Sequence, residues 1–273
     1  MLLNQETDFI FAPPSNSLLR DVVLSFFYIN IRTEDLKIRS ESVLPSPRVT
    51  FGYFFNHPFH IINLTKGEYI SGNSLVSKVS RDKILVSPVT GRVQIFGIHL
   101  KPYALGLFTR EKISGMKWCE SPLGINEPVA REFEEKVSSI ETVSDLFGFA
   151  EELLGKALLN INYDLVAQTV SFIDNSQPLP TVEEIAHTMN ITDRTLRNTF
   201  QRFVGCSPKE YLQTLRALRA MQIMISSGEK LTQNGYHAGY YDQSHFISSL
   251  KSSMGKIPKQ IKKDLANHRF IYF

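Results

Sequence analysis

Cysteine is almost missing from this sequence: 273 residues hold two thiols, Cys119 and Cys206, far apart along the chain. That is too few for a disulfide framework or a cysteine zinc site, and it fits a reducing cytoplasm. Long apolar runs are missing as well. The longest, such as Val22 to Ile29, fall far short of the ~20 residues of a membrane helix, and Glu6 and Asp8 break the N-terminus before a signal-peptide core can form. No phosphate-cradling glycine loop, Gly-x-Ser-x-Gly elbow or His-Glu-x2-His helix occurs. Nothing therefore implies a cofactor. A metal reading can start from His57-x2-His60 but stops there, because no third His or carboxylate follows at recognisable spacing.

What is present is ordinary globular material, with 42% hydrophobic and 21% charged residues, enough to build two cored domains. The charge is unevenly spread. Residues 1–177 carry 17 Lys+Arg against 20 Asp+Glu, whereas residues 178–273 carry 13 against 7. A basic excess in one third of a nearly neutral chain points to a polyanionic partner for that third.

The first hundred residues read as strands. In Val49 to Phe55 every odd position is apolar, Val22 to Ile31 and Val93 to Leu100 are rich in β-branched and aromatic residues, and Gly, Pro, Asn and Ser clusters separate the runs. After Lys101-Pro102 the apolar spacing becomes helical, over Ala130–Ile140 and Val143–Leu159 with acidic residues between. From Tyr163 onward the chain is almost wholly helical, beginning with a stripe of Leu165, Val166, Val170 and Ile173. The expected fold is α+β: a β-rich domain with flanking helices over 1–160, then an all-α domain over 163–273.

An internal repeat organises the basic third. Leu196-x3-Phe200-x4-Gly205-x2-Pro208 returns as Phe246-x3-Leu250-x4-Gly255-x2-Pro258, 50 residues later. Each copy reads as helix, tight turn, helix. In the first, Val182, Ile185 and Ala186 face inward, Asn190 suits the left-handed end of a helix, and Thr192 caps the next. Burying Leu196 and Phe200 leaves Asp193, Arg194, Arg197, Asn198 and Gln201 outward. In a major groove Arg reads guanine, and Asn or Gln reads adenine, through paired hydrogen bonds. Between the copies, Pro208 to Ser226 predicts a linker helix roughly 27 Å long, able to hold two reading helices about one DNA turn apart.

The stretch from Thr181 to about Lys263 resembles the double helix-turn-helix DNA-binding domain of the AraC/XylS family of bacterial transcription regulators. The residues that carry the resemblance are Val182-Glu183-Glu184-Ile185-Ala186, Thr192-Asp193-Arg194-Thr195-Leu196, Phe200, Gly205-x-Ser207-Pro208-x2-Tyr211-Leu212, Arg216, Ala220, and Gly239-Tyr240-Tyr241-Asp242-Gln243-Ser244-His245-Phe246. The resemblance puts helix 193–204 in one major groove and helix 243–254 in the next, with Arg194, Arg197, Asn198, Gln243 and Ser244 facing bases. Thr192, Thr195, Gln201 and His245 complete the expected DNA-binding set, and Arg216 braces the linker helix or meets phosphate. Three departures stand out. Asn234-Gly235 replaces an Ile-Ala pair, Ser248 replaces an Arg and Ile261 replaces a Tyr, so the second unit reads as weakened.

Residues 1–160 are similar to a sensor region of one branch of that family, through Phe96-Gly97-Ile98-His99-Leu100-Lys101-Pro102-x-Ala104 followed by acidic helices. The resemblance implies a cytoplasmic regulator of double-stranded DNA without enzymatic activity. It also implies a small-molecule effector in the N-terminal domain, a homodimer, and RNA polymerase as partner if the protein activates. Two alternatives remain beside it. Without the duplicated frame, Arg194, Arg197 and Arg202 would read as solvated helix charges. The N-terminal domain also reads as an enzyme, cupin-like or a methyl-accepting DNA-repair type using Cys119 near Lys117, with the helical part accessory to it.

Overall fold

A computed structural model describes residues 8–32, 41–43, 46–56, 58–80, 82, 84–87, 91–226 and 242–254. Among them the punctuated runs form ten strands: β1 (Asp8–Ala12), β2 (Val23–Arg32), β3 (Glu41–Val43), β4 (Val49–Phe54), β5 (Phe59–Asn63), β6 (Glu68–Gly72), β7 (Ser74–Ser77), β8 (Ile84–Ser87), β9 (Arg92–Leu100) and β10 (Cys119–Glu120). They pair antiparallel in two sheets, ordered β1-β2-β9-β4-β7-β10 and β3-β8-β5-β6.

The two-residue period of β2 decides what each face of the larger sheet meets. Phe26 and Tyr28, with Phe96 and Ile98 of β9, join the main buried core, whereas Phe27, Ile29 and Ile31 form a separate cluster on the opposite face. Phe27 pairs with Gly97 in register. A Cβ on Gly97 would stand 2.0 Å from Phe27 Cζ, so only glycine lets this ring lie across β9.

Among the described residues seven α-helices follow: α1 (Glu127–Lys136), α2 (Val143–Ala157), α3 (Asp164–Asn175), α4 (Val182–Thr188), α5 (Asp193–Phe203), α6 (Pro208–Ser226) and α7 (Gln243–Met254). Helices α1 and α2 start at the side-chain caps Asn126 and Thr142. They lay aromatic rings on the sheet: Phe133 meets Phe51 edge-on at 5.3 Å, and Phe147 meets Phe26 at 5.6 Å. The buried Glu151 of α2 also accepts hydrogen bonds from Ser15 N and Oγ and from Asn16 N, tying down the segment that precedes β2.

The apolar core does not stop at the expected division near 160–164. Val166, Val170 and Ile173 of α3, and Ile185, Leu196 and Phe200 beyond them, belong to the same buried cluster as Phe96 and Leu146. Leu159 N donates to Leu107 O at 2.9 Å, and Tyr103 stacks on Tyr163 at 5.8 Å. The α3 stripe thus packs on the helices after it, as its spacing predicts, and on the β-rich part before it.

Candidate nucleic-acid interface

Local chemistry fixes the first helix pair. Thr181 and Glu184 form a reciprocal capping box at the start of α4. Asn190 then adopts φ 53°, the left-handed conformation its position predicts, and Ile191 N donates back to Ala186 O at 3.0 Å. Thr192 Oγ1 accepts from Thr195 N at 3.1 Å to open α5. Ile185, Ala186, Leu196 and Phe200 are buried. Arg194, Arg197 and Asn198 are left exposed and Gln201 half-exposed. Their spacing of three, one and three residues places them on one stripe of α5. Thr192 and Thr195 are exposed at the N-terminal end of that stripe, their hydroxyls 3.0 Å apart.

Helix α7 repeats the device at the same offset of 50. Asp242 Oδ1 accepts from His245 N at 2.7 Å to open α7, as Thr192 opens α5. Phe246 and Leu250 are buried against Ala217, Leu218, Ala220 and Met221 of α6. Ser244, His245 and Ser248 are exposed. At the positions of Arg194, Arg197 and Asn198 this unit carries Ser244, Ile247 and Ser248, so its face offers single hydroxyls where the first offers bidentate groups. The side chain of Gln243, the Asn234-Gly235 pair, Ile261 and His57 lie outside the described residues.

The linker helix α6 opens with a second capping box, Ser207 with Glu210. Tyr211, Leu215, Leu218 and Met221 are buried along it. Arg216 is half-buried. Arg219 is a brace: its guanidinium donates to the carbonyls of Ser176 (2.7 Å), Asp174 (2.8 Å) and Ile173 (3.3 Å) at the C-terminal end of α3.

Arg202 departs from its reading as a solvated helix charge on α5, because it points to the β-rich part. Its guanidinium donates to the carbonyls of Gly106 (3.3 Å), Thr109 (2.8 Å) and Glu111 (3.0 Å), and burial lowers its pKa from the ordinary arginine value. Beside it a Cβ on Gly106 would stand 2.5 Å from Phe203 Cδ1, and one on Gly205 would meet Ile113 Cγ2 at 2.7 Å. The signal was Gly106, whose glycine no turn requirement explains. Lys78 holds the other flank of the segment, donating to the carbonyls of Ile113 at 3.0 Å and Met116 at 2.5 Å.

Cys119, the thiol of the methyl-accepting alternative, is not set up as a nucleophile. Cys119 is buried, and burial together with Glu120 pushes its thiol up to about 12, away from the thiolate a methyl acceptor needs. Burial does the same to Cys206. His60 shares a short hydrogen bond with the Tyr69 hydroxyl. Among the described residues no three His, Cys, Asp or Glu gather in a metal-holding group, and no helix is long and apolar enough to cross a membrane.

Comparison with known proteins agrees with this geometry. Residues 185–264 match the family model described as a helix-turn-helix domain. The lactose operon transcription activator of Staphylococcus xylosus is 37% identical over 83 residues, 30% of this chain and 29% of that protein. The match thus spans under a third of the relative's length. In fold, the chain is similar to ToxT from Vibrio cholerae, with a TM-score of 0.54 at 12% identity over 90% of this chain and 98% of that one. A second ToxT structure, bound to (E)-4-(8-methylnaphthalen-1-yl)but-3-enoic acid, gives 0.51 at 15% identity over 83% and 94%. The architecture is therefore that of a β-rich region followed by a helical region.

Proposed function

We propose that this chain, whose C-terminal third is a helix-turn-helix domain of the AraC/XylS type, is a sequence-specific DNA-binding transcription regulator. The observation that carries the reading is the exposed stripe Arg194, Arg197, Asn198 and Gln201 on α5, a helix whose opposite face is buried through Leu196 and Phe200. Arg and Asn or Gln in that arrangement can make paired hydrogen bonds to guanine and adenine in a major groove. Ser244 and His245 extend the contact into the next groove, with Gln243 beside them in sequence. Arg216 sits on the helix that joins the two.

The β-rich part is the place for an effector and for pairing of two chains. One strong and one weaker reading helix give few base contacts, while specific binding must exceed non-specific binding by about 10³ or more. A second copy supplies the difference through effective concentration. The name of the matched relative favours activation, with RNA polymerase as partner and the cytoplasm as compartment.

Selection of duplexes from a random pool by the full chain tests the reading directly. Enrichment of one motif is the expected result, and equal binding to all sequences overturns it. Sedimentation on the selected duplex is expected to show two chains per site.

A further inference from the structure

Between the larger sheet and α1–α2 lies a cavity of about 100 Å³. Phe51 and Ile98 form its floor, Phe133 and Ala150 its roof, and Leu105 and Phe108 one end. It sits on the face of the sheet opposite the Phe27 cluster, and so opposite the side on which Phe54 and Leu75 meet Ile61 and Ile70 of the second sheet. Among the described residues that line it, two are polar, Ser74 and Asn126, and none is charged. The Asn126 carbonyl oxygen is already engaged, accepting from Val129 N as the α1 cap. A lining of this kind holds little attraction for water and suits a compact hydrocarbon group.

The turn that closes the cavity is the turn that Arg202 grips. Leu105 and Phe108 line the cavity, while the carbonyls of Gly106 and Thr109, in and just after that turn, accept from Arg202 at the end of the reading helix. We propose that this cavity is a binding site for a small, neutral, apolar molecule, and that its occupancy holds the 104–111 turn in the arrangement that clamps α5 through Arg202. The inference rests on the regulator reading above for the use made of that output, but the site and the coupling stand on their own geometry. A ligand shifts an equilibrium only by its differential affinity for the two states. Here the difference is direct, since Leu105 and Phe108 keep their present places only while the turn does. A carboxylate head is disfavoured, because among the described residues no cation lines the space to offset its desolvation.

Benzene near its solubility limit is the probe, with benzoate as its charged counterpart and the full chain as the target. Benzene is expected to raise Tm by about 2–4 °C and to slow amide exchange about threefold or more at 104–111 and at 200–204. Benzoate is expected to do neither. Ala150→Leu, which fills the cavity from the roof, should abolish the response, and Ala130→Leu repeats the test from α1 if the first variant does not fold. Arg202→Met should keep the protection at 104–111 and lose it at 200–204. No benzene response in the wild-type chain overturns the site, an equal benzoate response overturns the neutral ligand class, and protection at 104–111 alone overturns the coupling. Failure of the duplex selection strikes the regulator reading without touching any of these outcomes.

Discussion

The two reading helices start from matching caps and matching buried pairs, Leu196 with Phe200 and Phe246 with Leu250, yet their surroundings differ. Helix α5 is set in the core that also holds the larger sheet, and Arg202 ties its last turn to three carbonyls of the β-rich part. Among the described residues, helix α7 buries its pair against Ala217, Leu218, Ala220 and Met221 of α6. The richer outward chemistry, two arginines and two amides, is on the helix whose last turn the β-rich part holds. A bidentate contact depends on a fixed donor geometry, so it suits a helix tied down in this way.

The largest expected effect tests the difference in foundation. Phe200→Ala should cost about 3–5 kcal/mol and lower the main thermal transition of the whole chain, because the residue belongs to the common core. Leu250→Ala removes a buried side chain too, but its effect should concentrate in faster hydrogen exchange across α7 and move the main transition less than half as far. Equal displacement by both variants would break the comparison.

Next in size is an effect of acid on the main transition. His99, on β9, is buried against Phe27, and burial followed by the Arg48 charge lowers its pKa to about 3 from 6.5. The folded state therefore holds it neutral while the unfolded chain takes up a proton. The stabilisation is complete above 6.5 and is lost progressively as the pH falls from 6.5 toward 3. Between pH 7 and pH 5 the loss should be about 2 kcal/mol in urea unfolding, and His99→Gln should flatten that slope. An unchanged slope would mean that other groups carry the acid response.

Arg197→Ala should cost about 1–3 kcal/mol at one base pair of the selected duplex and relax preference there, whereas Ser248→Ala on α7 should change discrimination by well under that. A phosphate contact would show itself differently, by weakening all duplexes alike and reducing the salt slope. The smallest effect is local. Thr192→Ala should lower stability by about 1 kcal/mol through loss of the cap, and Thr192→Asp should restore it.

Much of the helical third was legible because a repeat constrains two copies at once. The offset of 50 located both reading helices, and within the first copy the left-handed Asn190 and the cap at Thr192 followed from residue chemistry. The strands were legible from alternation at Val49 to Phe54. The sheet order was not, because β9 lies between β2 and β4 through pairings that join residues some 70 and 50 positions apart, and local periodicity carries no trace of them. Arg202 was misread for a related reason. Its position on the helical wheel is outward for an isolated unit, and only the docked β-rich part turns that direction into a half-buried one. The cavity could not be read either, since Phe51, Leu105 and Phe133 look like any other core residues until three elements meet.

The close approach of Phe203 to Gly106, and of Gly205 to Ile113, bears on how such chains can be recombined. A β-rich part and a helical part taken from different relatives will join well only if the segment 104–116 travels with the segment 202–206, since each is shaped against the other. A chimera cut near residue 160 in this chain would need both glycines, or smaller partners opposite them, before its halves could seat. Residues distant in sequence from the joint would then decide whether the two parts communicate.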